Sequence, residues 1–435
     1  MAPTLEPRVV EHVPCLGCGL VCDDITVVVG AGAVVEARAA CPLGVRWFQT
    51  TSSETVRVGG APASVEVAID EVAQLLASAR GPVLVYLAPG LSCEAVREVV
   101  SLADRLGARL DSVTSDTAAA GFLAVQRRGD AAATLGELRN RADVLVFWGM
   151  DFATRYPRFG SRYALEPVGL HVPEGRRGRT VVSVDVGAST GPPDAELRLR
   201  VAPEDELAAL AVMHMTVLGR ALPALSDPLA AAAALAERLV AARYVGLVHD
   251  GEPASTVPAI GRADALIALA HALNGRTRAA VSRLRAGGNR SGIDAVLTWQ
   301  TGYPFAVDFG RGYPRYESEE TAARLLAAGD IAAALVAGAS EEIPAAVTRG
   351  LRAVPTAVIG PGASRAPFPP AVAVDTGVAG IHEGGTAFRM DGVSLPLRPA
   401  LPGARRAVDL LMMLAQRLAQ AAPRPGLRGP ASFSS

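Results

Sequence analysis

Cys15, Cys18 and Cys22 stand at C-x2-C-x3-C spacing, and Cys41 follows in Ala40-Cys41-Pro42-Leu43-Gly44, so four of the five cysteines fall within the first 41 residues. Short spacings let one loop supply three thiolates while the fourth folds back, which suits a [4Fe–4S] cube. Four thiolates also suit tetrahedral zinc. The alternatives are buried, unligated thiols or two disulfides. In a reducing compartment, cysteine clusters mean metal more often than disulfide.

Other residues that could do chemistry lie in loops after apolar strands, where open α/β sheets place ligands. Asp185, in Val184-Asp-Val-Gly-Ala-Ser-Thr190, sits where a carboxylate could meet a ribose, or could simply close a turn. Phe147–Arg158 is a second such loop. Arg285-Ala-Gly-Gly-Asn-Arg290-Ser-Gly292 is Gly-rich and basic ahead of a helix, a setting that can hold phosphate, although it matches no P-loop. Thr298–Pro314 concentrates aromatics and proline without periodicity, as a shaped loop at a site or a rigid corner would. Ile381–Gly392 reads as a Gly-rich hairpin in which Glu383, Arg389 and Asp391 could form a polar cluster.

Several chemistries are excluded. All 42 basic residues are Arg, so there is no Schiff-base or P-loop lysine. The six His, at 12, 171, 214, 249, 271 and 382, form no H-E-x-x-H. No G-x-S-x-G elbow occurs, and Cys93 reads as a packed residue at a helix start.

The elements that must position these groups can be read from periodicity. Asp24–Val29 and Ala33–Arg38 flank a Gly turn and form a β-hairpin that brings Cys41 back toward Cys15–Cys22. From residue 59 the chain alternates helix and strand. Val65–Ala79 and Cys93–Leu106 carry helical stripes, the second stopped by Gly107. Val83–Leu87, Asp143–Gly149, Thr180–Asp185, Ala332–Ala337 and Pro355–Gly360 are all-apolar strands, which implies parallel sheets covered on both faces. Residues 204–243 form one or two Ala-rich helices. The tail from Pro423 is polar, Pro/Gly-rich and expected to be disordered.

The chain has 435 residues, 50% hydrophobic and 20% charged, with net charge −1. This bounds a globular protein of two to four domains without a nucleic-acid-binding surface. The N-terminus lacks the apolar region of a signal peptide. No run approaches the roughly 18 uninterrupted apolar residues of a membrane span. A cytoplasmic location is expected.

Taken together, Cys15-Leu-Gly-Cys-Gly-Leu-Val-Cys-Asp-Asp-Ile25, Cys41-Pro-Leu-Gly44, the segment from Ala133 to Gly149, Tyr156-Pro-Arg-Phe-Gly-Ser-Arg-Tyr163, Thr298–Pro314 and Ile381–Val393 resemble the B subunit of formylmethanofuran dehydrogenase, a branch of the molybdopterin oxidoreductases. The resemblance extends to about residue 400. It implies an α/β, molybdopterin-oxidoreductase-like multidomain fold. Its parts are a Cys-bearing N-terminal unit over 1–58, a discontinuous first α/β domain over 59–140 with 298–403, a Rossmann-like second domain over 141–297, and a C-terminal helix and tail over 404–435. In metal-bearing relatives a tungsten or molybdenum bis-pterin guanine dinucleotide reduces CO2 to formate, fed by a [4Fe–4S] cluster on four cysteines, here Cys15, Cys18, Cys22 and Cys41.

The chain departs from that pattern at the metal. Aligning Leu123-Ala-Val-Gln126 with the family's helix puts the metal-ligating Cys at or beside Thr117, and the adjacent His at Ala118. A hydroxyl is a poor substitute for a soft thiolate on Mo or W. The nucleotide loop Asp185-Val-Gly-Ala-Ser189 also lacks the family's basic residue. This pattern is similar to the B subunit of the bacterial formyltransferase/hydrolase complex, in which transfer and hydrolysis fall to sister subunits. The resemblance therefore implies a non-catalytic role next to a zinc amidohydrolase-like A subunit, a formyltransferase D subunit and a C subunit. It implies no Mo/W pterin, only a vestigial pterin site at Asp185, Asn289 and Thr386, and a [4Fe–4S] cluster as an open expectation. The alternatives are an active dehydrogenase subunit with an oxygen ligand at the metal and a stand-alone iron–sulfur carrier. Thiamine- or NAD-dependent chemistry lacks its glycine fingerprint.

Overall fold

A computed structural model describes residues 7–252 and 260–420; the expectation about the tail from Pro423 lies outside them. The chain divides into two compact units: Met1–Asp116 with Gly287–Arg389 and Ser394–Ser435, and Thr117–Ala286 with Met390–Val393.

The first unit opens with a three-stranded antiparallel sheet of Arg8–Cys15, Cys22–Gly30 and Ala33–Arg38. Ala31 and Gly32 both have positive φ, the two-residue turn whose twist matches a hairpin. The same unit holds a nine-stranded mixed sheet. At its centre Val83–Leu87, Ala333–Ala337, Thr356–Gly360 and Val372–Asp375 run parallel. Every residue of these strands is buried, which is why they read as unbroken apolar runs. Val56–Val58 also joins this sheet, antiparallel to Val372–Asp375, with Ala61–Pro62 outside it as the edge. From Val83–Leu87 the chain passes to Arg109–Ser112 on one side and later to Ala333–Ala337 on the other, making a topological switch point between Val83–Leu87 and Ala333–Ala337.

The crossover helix Cys93–Leu106 starts where the Ser92 side chain accepts from the Ala95 N–H and stops at Gly107, whose φ of 57° is left-handed. It buries Val96, Val99, Val100 and Ala103 against the sheet. Each such aliphatic side chain contributes about 1.5–3 kcal/mol for leaving water.

The second unit carries a five-stranded parallel sheet, in spatial order Leu197–Val201, Thr180–Val186, Val144–Trp148, Val245–Asp250, Ala279–Leu284. Helices Glu206–Val217, Asp227–Val240 and Ile260–Asn274 pack on it. Residues 117–140, expected with the first α/β domain, cluster here instead. Helix Ala119–Arg128 packs on Ile260–Asn274, and Ala124 is fully buried in this unit's core. A second correction concerns Thr298–Pro314. Its first four residues end the helix Arg290–Thr301, which Gly302 terminates with φ of 86°, and within the remainder Val307–Asp308 forms a short strand of the nine-stranded sheet.

Candidate cluster and cofactor sites

The cysteines come together through strand ends. Cys15 closes the first strand and pairs across the sheet with Cys22, which opens the second. Cys18 lies in the turn between them, and Cys41 directly precedes the helix Pro42–Phe48. The Gly17 N–H points at Cys15 Sγ, 3.4 Å away. A Cβ on Gly44 would stand 3.2 Å from Cys15 Sγ and 4.0 Å from Cys41 Sγ, so glycine leaves both sulfurs room. Burial pushes the Cys15 thiol well up; the Gly17 N–H opposes this, and the neighbouring Cys18, Cys22 and Cys41 add to it. None of the five cysteines is in a disulfide. Among the described residues no three His, Cys, Asp or Glu side chains are arranged to hold a metal ion.

Sequence reasoning missed the wall of this pocket. The Gly288 N–H donates to the Leu16 carbonyl at 2.8 Å. A Cβ on Gly287 would overlap that carbonyl and lie 2.8 Å from the Cys18 nitrogen. Two consecutive glycines were the available signal, read only as a turn before a helix.

Thr117 ends the short helix Val113–Thr117, and buried Ala118 breaks to φ −134° before helix Ala119–Arg128 begins. A hydroxyl at 117 and a methyl at 118 do not fit the thiolate and imidazole that a pterin-bound metal takes in the resembled family. One residue earlier, Asp116 Oδ2 and the fully buried Tyr86 hydroxyl each lack a hydrogen-bond partner of ordinary geometry. Burial, and then the charge of Asp111, push Asp116 up to about 7. Asp111 itself is raised by burial to about 6, opposed by hydrogen bonds from Ala322, Ser115, Ser112 and Ala306.

The polar residues expected at a vestigial pterin site are engaged within the protein. The Asn289 amide donates to the Leu91 carbonyl at 2.8 Å, contacts Cys93 Sγ at 3.7 Å, and accepts from the Phe388 N–H at 2.9 Å. Burial pushes the Cys93 thiol up to about 11. The Thr386 hydroxyl and N–H both donate to Glu94, each at 2.8 Å. Asp185 accepts from the Ser183 hydroxyl at 2.5 Å, the Gly191 N–H at 3.0 Å and Arg198 at 2.6 and 2.9 Å. Beside it lies an open cleft of about 690 Å³ lined by Ser189, Thr190, Arg198 and Arg200 among others.

The carboxylates of the expected Glu383, Arg389 and Asp391 cluster also bond to backbone and side chains elsewhere. Glu383 accepts from Ser92 and from the Ala407 N–H in the first unit, whereas Asp391 accepts from the Leu135 N–H in the second. The Arg285–Gly292 loop and the Phe147–Arg158 loop also turn inward: Arg285 pairs with Glu252, Arg290 with Glu342, and Arg155 with Asp250.

The geometry defines a class: a mixed α/β chain with two sheets that each contain a switch point and an N-terminal sheet presenting four thiols. No family model matches the sequence, but individual proteins do. The chain is 32% identical over 412 residues to the B subunit of the tungsten-containing formylmethanofuran dehydrogenase 2 of Methanocaldococcus jannaschii, covering 91% of this chain and 94% of that one. It is 32% identical over 279 residues to the B subunit of the formyltransferase/hydrolase complex of Methylorubrum extorquens, covering 64% of this chain and 73% of that one. The crystal structure of that complex with methylofuran contains a chain that superposes with a TM-score of 0.69 at 27% identity, over 84% of this chain and 99% of that one. The chain belongs to the family of formylmethanofuran dehydrogenase B subunits.

Proposed function

We propose that this chain is the B subunit of a formyltransferase/hydrolase complex in one-carbon metabolism linked to tetrahydromethanopterin and a methanofuran-type carrier, and that it acts as a non-redox scaffold. The observation that carries this reading is the Thr117–Ala118 pair. In a chain 32% identical to a tungsten-containing relative over 91% of its length, the position that the resemblance assigns to the metal ligand carries no sulfur. The inward engagement of Asn289, Thr386 and Asp185 supports it. Its partners are a zinc amidohydrolase-like A subunit, a formyltransferase D subunit and a C subunit, in the cytoplasm. Among the described residues no helix is long and apolar enough to cross a membrane.

Cys15, Cys18, Cys22 and Cys41 have the donor chemistry for a [4Fe–4S] cluster. Zinc–thiolate bonds of about 2.3 Å would draw four sulfurs to about 3.8 Å from one another. These four thiols act on one another at one end of the N-terminal sheet, and their C-x2-C-x3-C spacing with a fourth cysteine is what a cube takes. A bound cluster supplies one-electron storage; here its role is to staple the N-terminal sheet to the Gly287–Gly288 turn.

The test is elemental analysis for W, Mo, Fe and Zn, with pterin extraction, on the native complex purified without oxygen. No W, Mo or pterin is expected in this chain, with iron near four per chain. Stoichiometric W or Mo with pterin would overturn the scaffold reading and make this the catalytic chain of a dehydrogenase.

A further inference from the structure

We propose that Arg198 is a built-in occupant of the ligand carboxylate Asp185, closing the cleft of the Thr117–Ala286 unit to the ribose diol of a nucleotide. This deepens the pterin-free reading above and rests on it.

Thr180–Val186 follows Val144–Trp148 and lies beside it in the parallel sheet. Asp185 stands near its carboxyl end, where a carboxylate in a nucleotide-binding α/β unit takes ribose hydroxyls. A carboxylate offers about four acceptor positions. Asp185 already accepts four short contacts: the Ser183 hydroxyl at 2.5 Å, the Gly191 N–H at 3.0 Å, and Arg198 Nη1 at 2.9 Å on one oxygen and 2.6 Å on the other. Three of these contacts fall on Oδ1 and one on Oδ2, so a single acceptor position is left, on Oδ2; a ribose diol brings two donors, and Asp185, only 6% exposed, cannot take both while Arg198 stays in place.

Arg198 is fixed in turn. Its Nη2 donates to the Pro192 carbonyl at 2.6 Å, so the guanidinium ties the loop after Thr180–Val186 to the strand Leu197–Val201. Burial works against the charge on Asp185, but the hydrogen bonds from Ser183, Arg198 and Gly191 and the Arg198 charge outweigh it and hold the carboxyl below its usual range. A nucleotide would have to displace this guanidinium, breaking charge-assisted bonds and leaving the carboxylate incompletely paired. The cleft is therefore formed but already satisfied.

The probe is fluorescently labelled GDP, titrated by anisotropy into the purified complex. Three forms of this chain are compared: native, Arg198→Ala, and Arg198→Ala with Asp185→Asn. The native complex should show no saturable binding at millimolar nucleotide. Arg198→Ala should bind at least about tenfold more tightly than native, since a hydrogen bond to a charged group contributes about 1.5–3 kcal/mol. The double variant should lose that gain. Micromolar binding by the native complex would overturn the proposal. So would an Arg198→Ala complex with native circular dichroism that binds no better. If Arg198→Ala fails to assemble, Arg198→Gln serves in its place, and the native titration still decides. Metal analysis of the same native sample separates the two readings. W or Mo with pterin would defeat the scaffold assignment, whereas nucleotide uptake without either would defeat only the role of Arg198.

Discussion

Asp116 holds its proton against its surroundings. Its Oδ2 is buried beside the Tyr86 hydroxyl on Val83–Leu87, and Asp111 near the end of the adjacent strand adds like charge. Its pKa rises from 3.8 to about 7 on folding. A group raised in this way contributes stability that is complete below its unfolded pKa and is lost as pH rises through the folded one. Asp116→Asn should therefore flatten the pH dependence between 3.8 and about 7. Above that window the variant should be more stable than the native chain by on the order of 2–4 kcal/mol. Denaturant melts at pH 5 and pH 8 check this; equal differences at both pH values would refute it.

At the scale of elements, Glu383 joins two helix starts. One oxygen accepts from Ser92, itself the cap of Cys93–Leu106, and the other caps Ala407–Gln420 through the Ala407 N–H at 2.8 Å. Glu383→Ala leaves both donors buried and should cost about 2 kcal/mol. Hydrogen exchange should quicken first in the opening turn of Ala407–Gln420, and uniform exchange across the chain would count against this role. Such clamps explain how far the sequence could be read. Val83–Leu87 and Cys93–Leu106 were legible to the residue, because unbroken apolar runs, a helical stripe and a Gly stop are local signals. That the four N-terminal cysteines would come together was legible from their spacing. What stayed hidden depends on partners distant in sequence: Glu94 meets Thr386, Arg198 meets Asp185, and Gly287 meets Leu16. Thr298–Thr301 was misread because aromatics and a nearby proline masked the last turn of a helix.

At the scale of the whole chain, both α/β units keep parallel strands with a switch point, while the groups expected to serve a cofactor bond to the protein instead. On the scaffold role proposed above, Arg198 neutralises Asp185 from within the protein. The first unit is also sewn together across its length. Gly288 holds Leu16, and the Gly288 carbonyl accepts from Gly90 at 2.7 Å, so the cysteine turn, the Gly-Gly turn and the loop after Val83–Leu87 lie backbone against backbone. Gly287→Ala forces that stack apart. It should lower the melting temperature of the complex and its iron content together, and an unchanged iron-to-protein ratio in a folded variant would refute the link.

This stitching has a consequence for the order of events on the ribosome. The four thiols emerge early, but the backbone that walls them in is made only after most of the second unit has been translated. The nascent chain therefore carries an open cysteine turn through much of its own synthesis, and the four thiols are walled in only once residue 288 arrives.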